Sequence, residues 1–332
     1  MRTICLSAFL ALLVAGCSDT AAAPGRADAG AGTIIDAGAS ADALTPAQRG
    51  DYLVNAVLSC RGCHTPLTAT GAPDLTKAFS GRTCFLDTMP PADNGMGCVN
   101  SRNLTNHETG LKNLTDAQIK KALTQGVRAN GKILHSAMEY WTYGPMLTSA
   151  DQDAIIAYLR TIPGIDNTVP PNEPPFDNIT NATPPLSDSD LPPAGGTGDT
   201  LASAKRGRYL SVACLGCHTP VLTPPVPRPA DVAHAFQGGR RFLGVAVQPS
   251  GVDSANLTPH ATGLGGWTVA DVVRALKEGK DNEGVGICPP MPSGMAGFNR
   301  LTDADATDLA NYFLNLAPVD HAIAAPCSLP PQ

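Results

Sequence analysis

The sequence predicts an all-α fold arranged as two tandem copies of one domain, with three helices in each. Three observations carry that prediction. The pentapeptide Cys60-Arg61-Gly62-Cys63-His64 returns as Cys214-Leu215-Gly216-Cys217-His218 inside a longer repeat. A helix-start signature, Thr followed three residues later by Gln or Asp, occurs five times ahead of apolar residues at helical spacing. The stretches between are rich in Gly and Pro, and none sustains the alternation of a half-buried strand.

Taken in order, Met1-Arg2 leads into an apolar run from Leu6 to Val14, too short to span a bilayer and suited to the core of an export signal. The run ends in Val14-Ala15-Gly16-Cys17, which resembles the lipobox of bacterial lipoproteins. Residues 1–16 are therefore expected to be a lipoprotein signal peptide, with Cys17 lipidated and N-terminal after cleavage. The alternative is an ordinary cleavable signal in which Cys17 is incidental. By resemblance to the sorting rules of such lipoproteins, Ser18 favours the outer membrane. Residues 17–44 are dominated by Ala, Gly, Asp, Ser and Thr, with little apolar surface to offset the entropy of ordering, and read as a disordered tether.

Ordered structure is expected from Thr45-Pro46-Ala47-Gln48, where a capping Thr precedes Pro at the first helical position. Tyr52, Leu53 and Ala56 then share a face leading to Cys60. The later starts are Thr115, Thr148, Thr268 and Thr302. Behind them run Ile119/Ala122/Leu123, Ile155/Tyr158/Leu159, Val272/Val273/Leu276 and Leu309/Tyr312/Phe313/Leu316. These elements place a first domain at 45–165 and a second at 201–320. Between them, 166–200 is Pro-rich and closes on Gly195-Gly196, as expected of a semi-extended linker packed along the surface. Residues 321–332 form a short irregular tail.

The repeat extends well beyond the pentapeptides. Arg49-Gly50-Asp51-Tyr52-Leu53 answers Arg206-Gly207-Arg208-Tyr209-Leu210, and both pentapeptides are followed by Thr-Pro. Ala78-Phe79-Ser80-Gly81 answers Ala235-Phe236-Gln237-Gly238. Asn103-Leu104-Thr105 and Asn256-Leu257-Thr258 lie 39 and 38 residues past the pentapeptide histidines. Thr109-Gly110-Leu111 answers Thr262-Gly263-Leu264, and Leu147-Thr148 with Asp151 answers Leu301-Thr302 with Asp305.

The pentapeptide is the c-type haem attachment pattern. Two intervening residues place both sulfurs over neighbouring edges of one porphyrin, and the adjoining imidazole is carried beneath the iron. Zinc ribbons and thioredoxin-like sites also use Cys-x-x-Cys, but neither needs the following His. Cys60, Cys63, Cys214 and Cys217 are thus expected to attach two haem c groups, with His64 and His218 as proximal ligands. Aromatic residues make up only 5% of the chain, so a covalently held porphyrin would supply much of each core. The net charge of −6 argues against nucleic acid or an anionic membrane surface as the main partner.

Cys-x-x-Cys-His, the Phe-x-Gly turn, Asn-Leu-Thr, Thr-Gly-Leu, a helix, a Met and a final Tyr-containing helix together resemble the class I cytochrome c fold. They resemble most the multihaem cytochrome subunits of membrane-associated alcohol and sugar dehydrogenases. The resemblance runs from about Gln48 to Pro318; those subunits commonly have three haem domains, whereas this chain has two. It implies methionine as distal ligand, a pairing that raises the potential and leaves no open position on the iron. Met291, in Pro289-Pro290-Met291-Pro292, matches the family's axial loop, and Met138 is its counterpart, 73 residues separating Met291 from His218 and 74 separating Met138 from His64. Met146 and His107 remain rivals on the first haem. His107 and His260 occupy equivalent positions and are assigned a polar role near the propionates; His135, His234 and His321 read as surface residues.

Of ten cysteines, Cys5 leaves with the signal, Cys17 takes lipid and four hold haem. Cys84, Cys98, Cys288 and Cys327 remain, and outside the cytoplasm thiols tend to pair. Cys84–Cys98 and Cys288–Cys327 are the economical connectivities; free thiols are the alternative. The functional expectation is a single-electron carrier between a dehydrogenase or quinol-oxidising donor and a downstream redox protein. It would be lipid-anchored on the periplasmic face of a Gram-negative envelope. The alternative is a dihaem enzyme of peroxidase or thiosulfate dehydrogenase type, with one iron open or ligated by Cys288.

Overall fold

Helix α1 (Pro46–Tyr52) starts where the Thr45 hydroxyl accepts the Gln48 N–H and the Gln48 side chain returns to the Thr45 N–H, a complete capping box. It continues into a π-helical turn over Leu53–Val57, all of it buried. The computed structural model describes residues 44–85, 97–222, 230–242, 251–289, 291 and 297–327. The proposed signal, Cys17 and nearly all of the proposed tether lie outside them. The described residues fall in one compact unit.

The remaining helices are α2 (Cys60–His64), α3 (Asp116–Gln125), α4 (Tyr140–Met146) and α5 (Ser149–Leu159) in the first repeat, and α6 (Gly198–Leu210), α7 (Val212–Leu215), α8 (Val269–Glu278) and α9 (Asp303–Leu314) in the second. Capping boxes at Thr115/Gln118 and Thr268/Asp271 start α3 and α8, and left-handed Gly126 and Gly279 end them. The Thr148 and Thr302 hydroxyls cap α5 and α9. Among the described residues the first repeat thus has five helices and the second four, rather than three in each. The haem-motif segments are themselves helical, and α4 forms despite Pro145. One two-residue antiparallel ladder, β1 (Arg241–Phe242) with β2 (Val252–Asp253), is also present.

Packing follows the repeat. Helix α1 crosses α5, and α6 crosses α9. The Arg-Gly-x-Tyr-Leu element explains how. A Cβ at Gly50 would run into the Ala154 carbonyl and one at Gly207 into the Asp308 carbonyl, so glycine sets both crossing distances. Leu53 and Leu210 are completely buried below the crossings, each contributing about 1.5–3 kcal/mol of hydrophobic free energy. Arg49 forms two bonds of 2.9 Å to Asp151. Arg206 binds Asp308, one turn later on its helix, at 2.7 and 2.8 Å.

The segments after the last helices act as straps. Ile165 and Val319 both give their carbonyl to the Asn of Asn-Leu-Thr, at 2.9 Å in each repeat. Their N–H groups donate to Thr105 and Thr258 hydroxyls. The proposed linker continues over the surface from there: Glu173 N–H donates to the Cys98 carbonyl, Leu186 N–H to the Trp141 carbonyl, and Leu186 and Leu191 are buried. Cys84 is bonded to Cys98 and Cys288 to Cys327, closing separations of 14 and 39 residues. The tail pairs with β2 through Asp253 N–H to the Ala325 carbonyl. His321, expected at the surface, is instead half-buried in this strap, with Nδ1 2.6 Å from the Gln237 carbonyl. His135 likewise packs edge-on against Phe176.

Candidate haem-attachment site

Each pentapeptide sits at the end of a buried apolar segment, and the loop that follows is folded back on it. Ser59 adopts a left-handed conformation that starts α2 with Cys60. In the second repeat α7 carries Cys214, and His218 N–H donates to the Cys214 carbonyl at 2.9 Å, completing the same turn. The next threonine, Thr65 or Thr219, is buried and accepts the N–H of Phe79 or Phe236 at 3.3 Å. Both phenylalanines have positive φ, near 65° and 64°. That twist brings Gly81 N–H to the His64 carbonyl and Gly238 N–H to the His218 carbonyl, 2.8 Å in each case.

The returning loop then meets the histidine ring. His64 Nδ1 lies 2.7 Å from the Arg102 carbonyl and His218 Nδ1 2.8 Å from the Ala255 carbonyl. Because a carbonyl can only accept, Nδ1 must carry the proton, leaving the Nε2 lone pair for a metal. Burial lowers both imidazole pKa values, which favours that neutral form. Asn103 and Asn256 fix the register of this loop: each Oδ1 accepts the N–H and hydroxyl of the threonine two residues on.

The four pentapeptide thiols are not joined to one another. Burial pushes Cys60, Cys63 and Cys214 up to about 12 and raises Cys217 as well. A buried carboxylate, Glu139, adds to all four shifts. Glu139 is itself raised to about 7 by burial, and its carboxylate packs against Gly216. It follows directly on Met138, in the turn Ser136–Met138 that Trp141 closes by donating Nε1–H to the Ser136 carbonyl at 2.9 Å. Met138 and Met291 are both partly buried against the core. Each stands four residues past an equivalent bond, Leu134 N–H to the Gly126 carbonyl and Ile287 N–H to the Gly279 carbonyl. Met146 closes α4 against the same core.

These residues fit haem c. Each repeat offers two unpaired thiols, an imidazole with Nε2 presented, and a thioether in matching loop position. The hydroxyls of Ser59, Ser80 and Ser136, beside the attachment helix, the Phe-x-Gly turn and the methionine, are buried without a hydrogen-bond partner. His107 and His260 stand in matched surroundings: each Nδ1 lies 3.0 Å from a Thr-Gly-Leu threonine hydroxyl and 3.6 Å from a strap aspartate, Asp166 or Asp320. Sequence reasoning missed Glu139, Trp141 and the crossing roles of Gly50 and Gly207. The matched Arg-Gly-x-Tyr-Leu pair was the available signal for the glycines, whereas Glu139 has no counterpart in the second repeat.

No protein-family profile matches the chain. Curated relatives do. The chain is 28% identical over 305 residues to the cytochrome c subunit of a quinone alcohol dehydrogenase from Gluconacetobacter polyoxogenes, covering 87% of this chain and 59% of the relative. It is 28% identical to the fructose dehydrogenase cytochrome subunit of Gluconobacter japonicus, over 80% of this chain and 51% of the relative. It is 25% identical to the gluconate 2-dehydrogenase cytochrome c subunit of Pantoea cypripedii, over 84% and 61%. The chain spans roughly half to three-fifths of the length of these relatives.

Proposed function

We propose that this relative of dehydrogenase cytochrome c subunits is a dihaem electron carrier, passing single electrons from a dehydrogenase or quinol-oxidising donor to a downstream redox protein. Bound haem c supplies one-electron chemistry at its iron. Cys60 and Cys63, and Cys214 and Cys217, would hold one porphyrin each by thioether bonds. His64 and His218 present Nε2 in a tautomer fixed by the Arg102 and Ala255 carbonyls. Met138 and Met291 would supply a thioether ligand to each iron. The observation that carries this reading is the duplicated geometry, an unpaired Cys-x-x-Cys beside a histidine whose Nδ1 is held by a backbone carbonyl.

The alternative, a dihaem peroxidase or a thiosulfate dehydrogenase, needs an iron that is open or bound by Cys288. The Cys288–Cys327 bond supports the carrier, since a sulfur engaged there cannot also serve as thiolate ligand. Among the described residues no helix is long and apolar enough to cross a membrane. Attachment to the envelope is assigned, from the lipobox-like Val14-Ala15-Gly16-Cys17, to lipid on Cys17, at the periplasmic face and with the outer membrane favoured. Redox titration of the purified holoprotein, followed by optical and EPR spectroscopy, tests the reading. Two low-spin haems, each with the near-infrared band of thioether ligation, are expected; a high-spin ferric iron in the resting protein would move the enzymatic reading ahead.

A further inference from the structure

The tyrosines of the two Arg-Gly-x-Tyr-Leu elements do not serve their own repeats. Tyr52, in the first, donates its hydroxyl to Asp305 and accepts the Thr302 N–H at 3.2 Å, both at the start of α9 in the second. Tyr209, in the second, donates to Asp151 at 2.5 Å and accepts the Thr148 N–H at 3.3 Å, both at the start of α5 in the first. Tyr52 and Tyr209 are matched residues of the repeat. So are Asp305 and Asp151, and so are Thr302 and Thr148. The contact is therefore reciprocal, as in a two-fold dimer interface.

The exchange extends to the haem motifs. The turn Leu53–Val57, which leads into Cys60, packs against Phe298–Arg300, shortly beyond Met291 in the other repeat. Helix α7, carrying Cys214, packs against α4, immediately beyond Met138. Gly297 approaches the Asn55 backbone so closely that a Cβ would collide with its carbonyl, and Gly216 lies against the Glu139 side-chain carboxylate, which leaves no room for a Cβ. Each repeat's methionine segment thus backs onto the other's attachment segment.

We propose that Tyr52 and Tyr209 are positioning residues that clamp the two attachment motifs face to face, so that the chain works as one two-site electron relay rather than as two independent carriers. This rests on the haem assignment above. The hydroxyls act through the helix starts they bind, because Asp151 and Asp305 begin the helices against which α1 and α6, and through them the motifs, are seated.

The test uses holoprotein carrying Tyr52→Phe, Tyr209→Phe or both, each of which keeps the ring and removes the hydroxyl. Haem content by pyridine haemochrome comes first: absence of two haems in wild type would overturn the haem assignment itself. With two haems present, wild type is expected to show an excitonic couplet in Soret circular dichroism and mutual EPR broadening of the two ferric signals. The double variant should lose the couplet and the broadening while retaining both haems and the thioether band, and each single variant should show partial loss. If the double variant does not fold, the single variants decide by the same readouts. An unchanged couplet in variants that retain both haems, or no couplet in wild type, would overturn the clamp and leave the carrier assignment standing.

Discussion

The hydroxyl of Tyr209 donates to Asp151 Oδ2 at 2.5 Å, while the same carboxylate receives two bonds from Arg49 of its own repeat. One carboxylate therefore ties the crossing of α1 and α5 to the partner repeat. The matched aspartate, Asp305, takes Tyr52 but not the second arginine, which binds Asp308 one turn away. Its Oδ1 is buried without a hydrogen-bond partner. The two halves are thus reciprocal in their tyrosines and offset in their arginines.

Asp151→Ala should cost more than Tyr209→Phe. The alanine strands a mostly buried Arg49, an effect of about 3–5 kcal/mol for a fully buried pair and somewhat less here, where the arginine side chain is 19% exposed. The phenylalanine removes one hydrogen bond to a charged group, about 1.5–3 kcal/mol. Urea unfolding of the holoprotein orders the two; equal effects would mean that the Arg49 pair contributes nothing.

Gly50→Ala and Gly207→Ala should each destabilise by about 1–3 kcal/mol or more, because the added methyl meets a backbone carbonyl that cannot rotate away. Gly131→Ala is the contrasting control. Its φ of +80° carries backbone strain, but the space around it is open. Thermal melts that found all three equal would remove the helix-crossing account.

Alkaline stability should depend on the two clamp tyrosines. Burial, and then the neighbouring carboxylate, raise the Tyr52 and Tyr209 pKa values above the ordinary phenol range. A raised phenol pKa means that the contribution of these groups is complete below the unfolded value, about pH 10, and is lost as pH climbs toward the higher folded value. Wild type should lose stability steeply above that pH, and Tyr52→Phe/Tyr209→Phe should be less stable at neutral pH with a flatter alkaline slope. Identical slopes would show that these hydroxyls are not linked to folding.

Met291→Ala and Cys288→Ser should separate ligation from cross-linking. The first should open the second iron to carbon monoxide or cyanide with little effect on the disulfide. The second should leave the haem spectrum nearly unchanged while removing about 4 kcal/mol, the loop-closure value for a bridge of this length. A shifted spectrum in Cys288→Ser with an unaltered one in Met291→Ala would reverse the distal assignment.

What the sequence determined by itself is the chemistry that lies within one turn or one helix. The two Cys-x-x-Cys-His motifs, the threonine starts of α1, α3, α5, α8 and α9, and the matched loop residues were all legible, because their partners stand a few residues away or recur in the other repeat. Helix α4 was not: Pro145 lies inside it, and its aromatic residues find their partners elsewhere, Tyr140 accepting the Thr183 N–H and Leu186 N–H reaching the Trp141 carbonyl. Nor was the destination of Tyr52 and Tyr209 legible. A tyrosine on the buried face of a helix reads the same whether its hydroxyl stays within its own repeat or crosses to the other, and only the placement of residues some 250 and 58 positions apart decides. The same holds for Glu139, whose sequence neighbours give no sign that Gly216 lies against it. Local spacing is written in the chain, whereas contact across a pseudo-two-fold boundary exists only once both copies have folded and met.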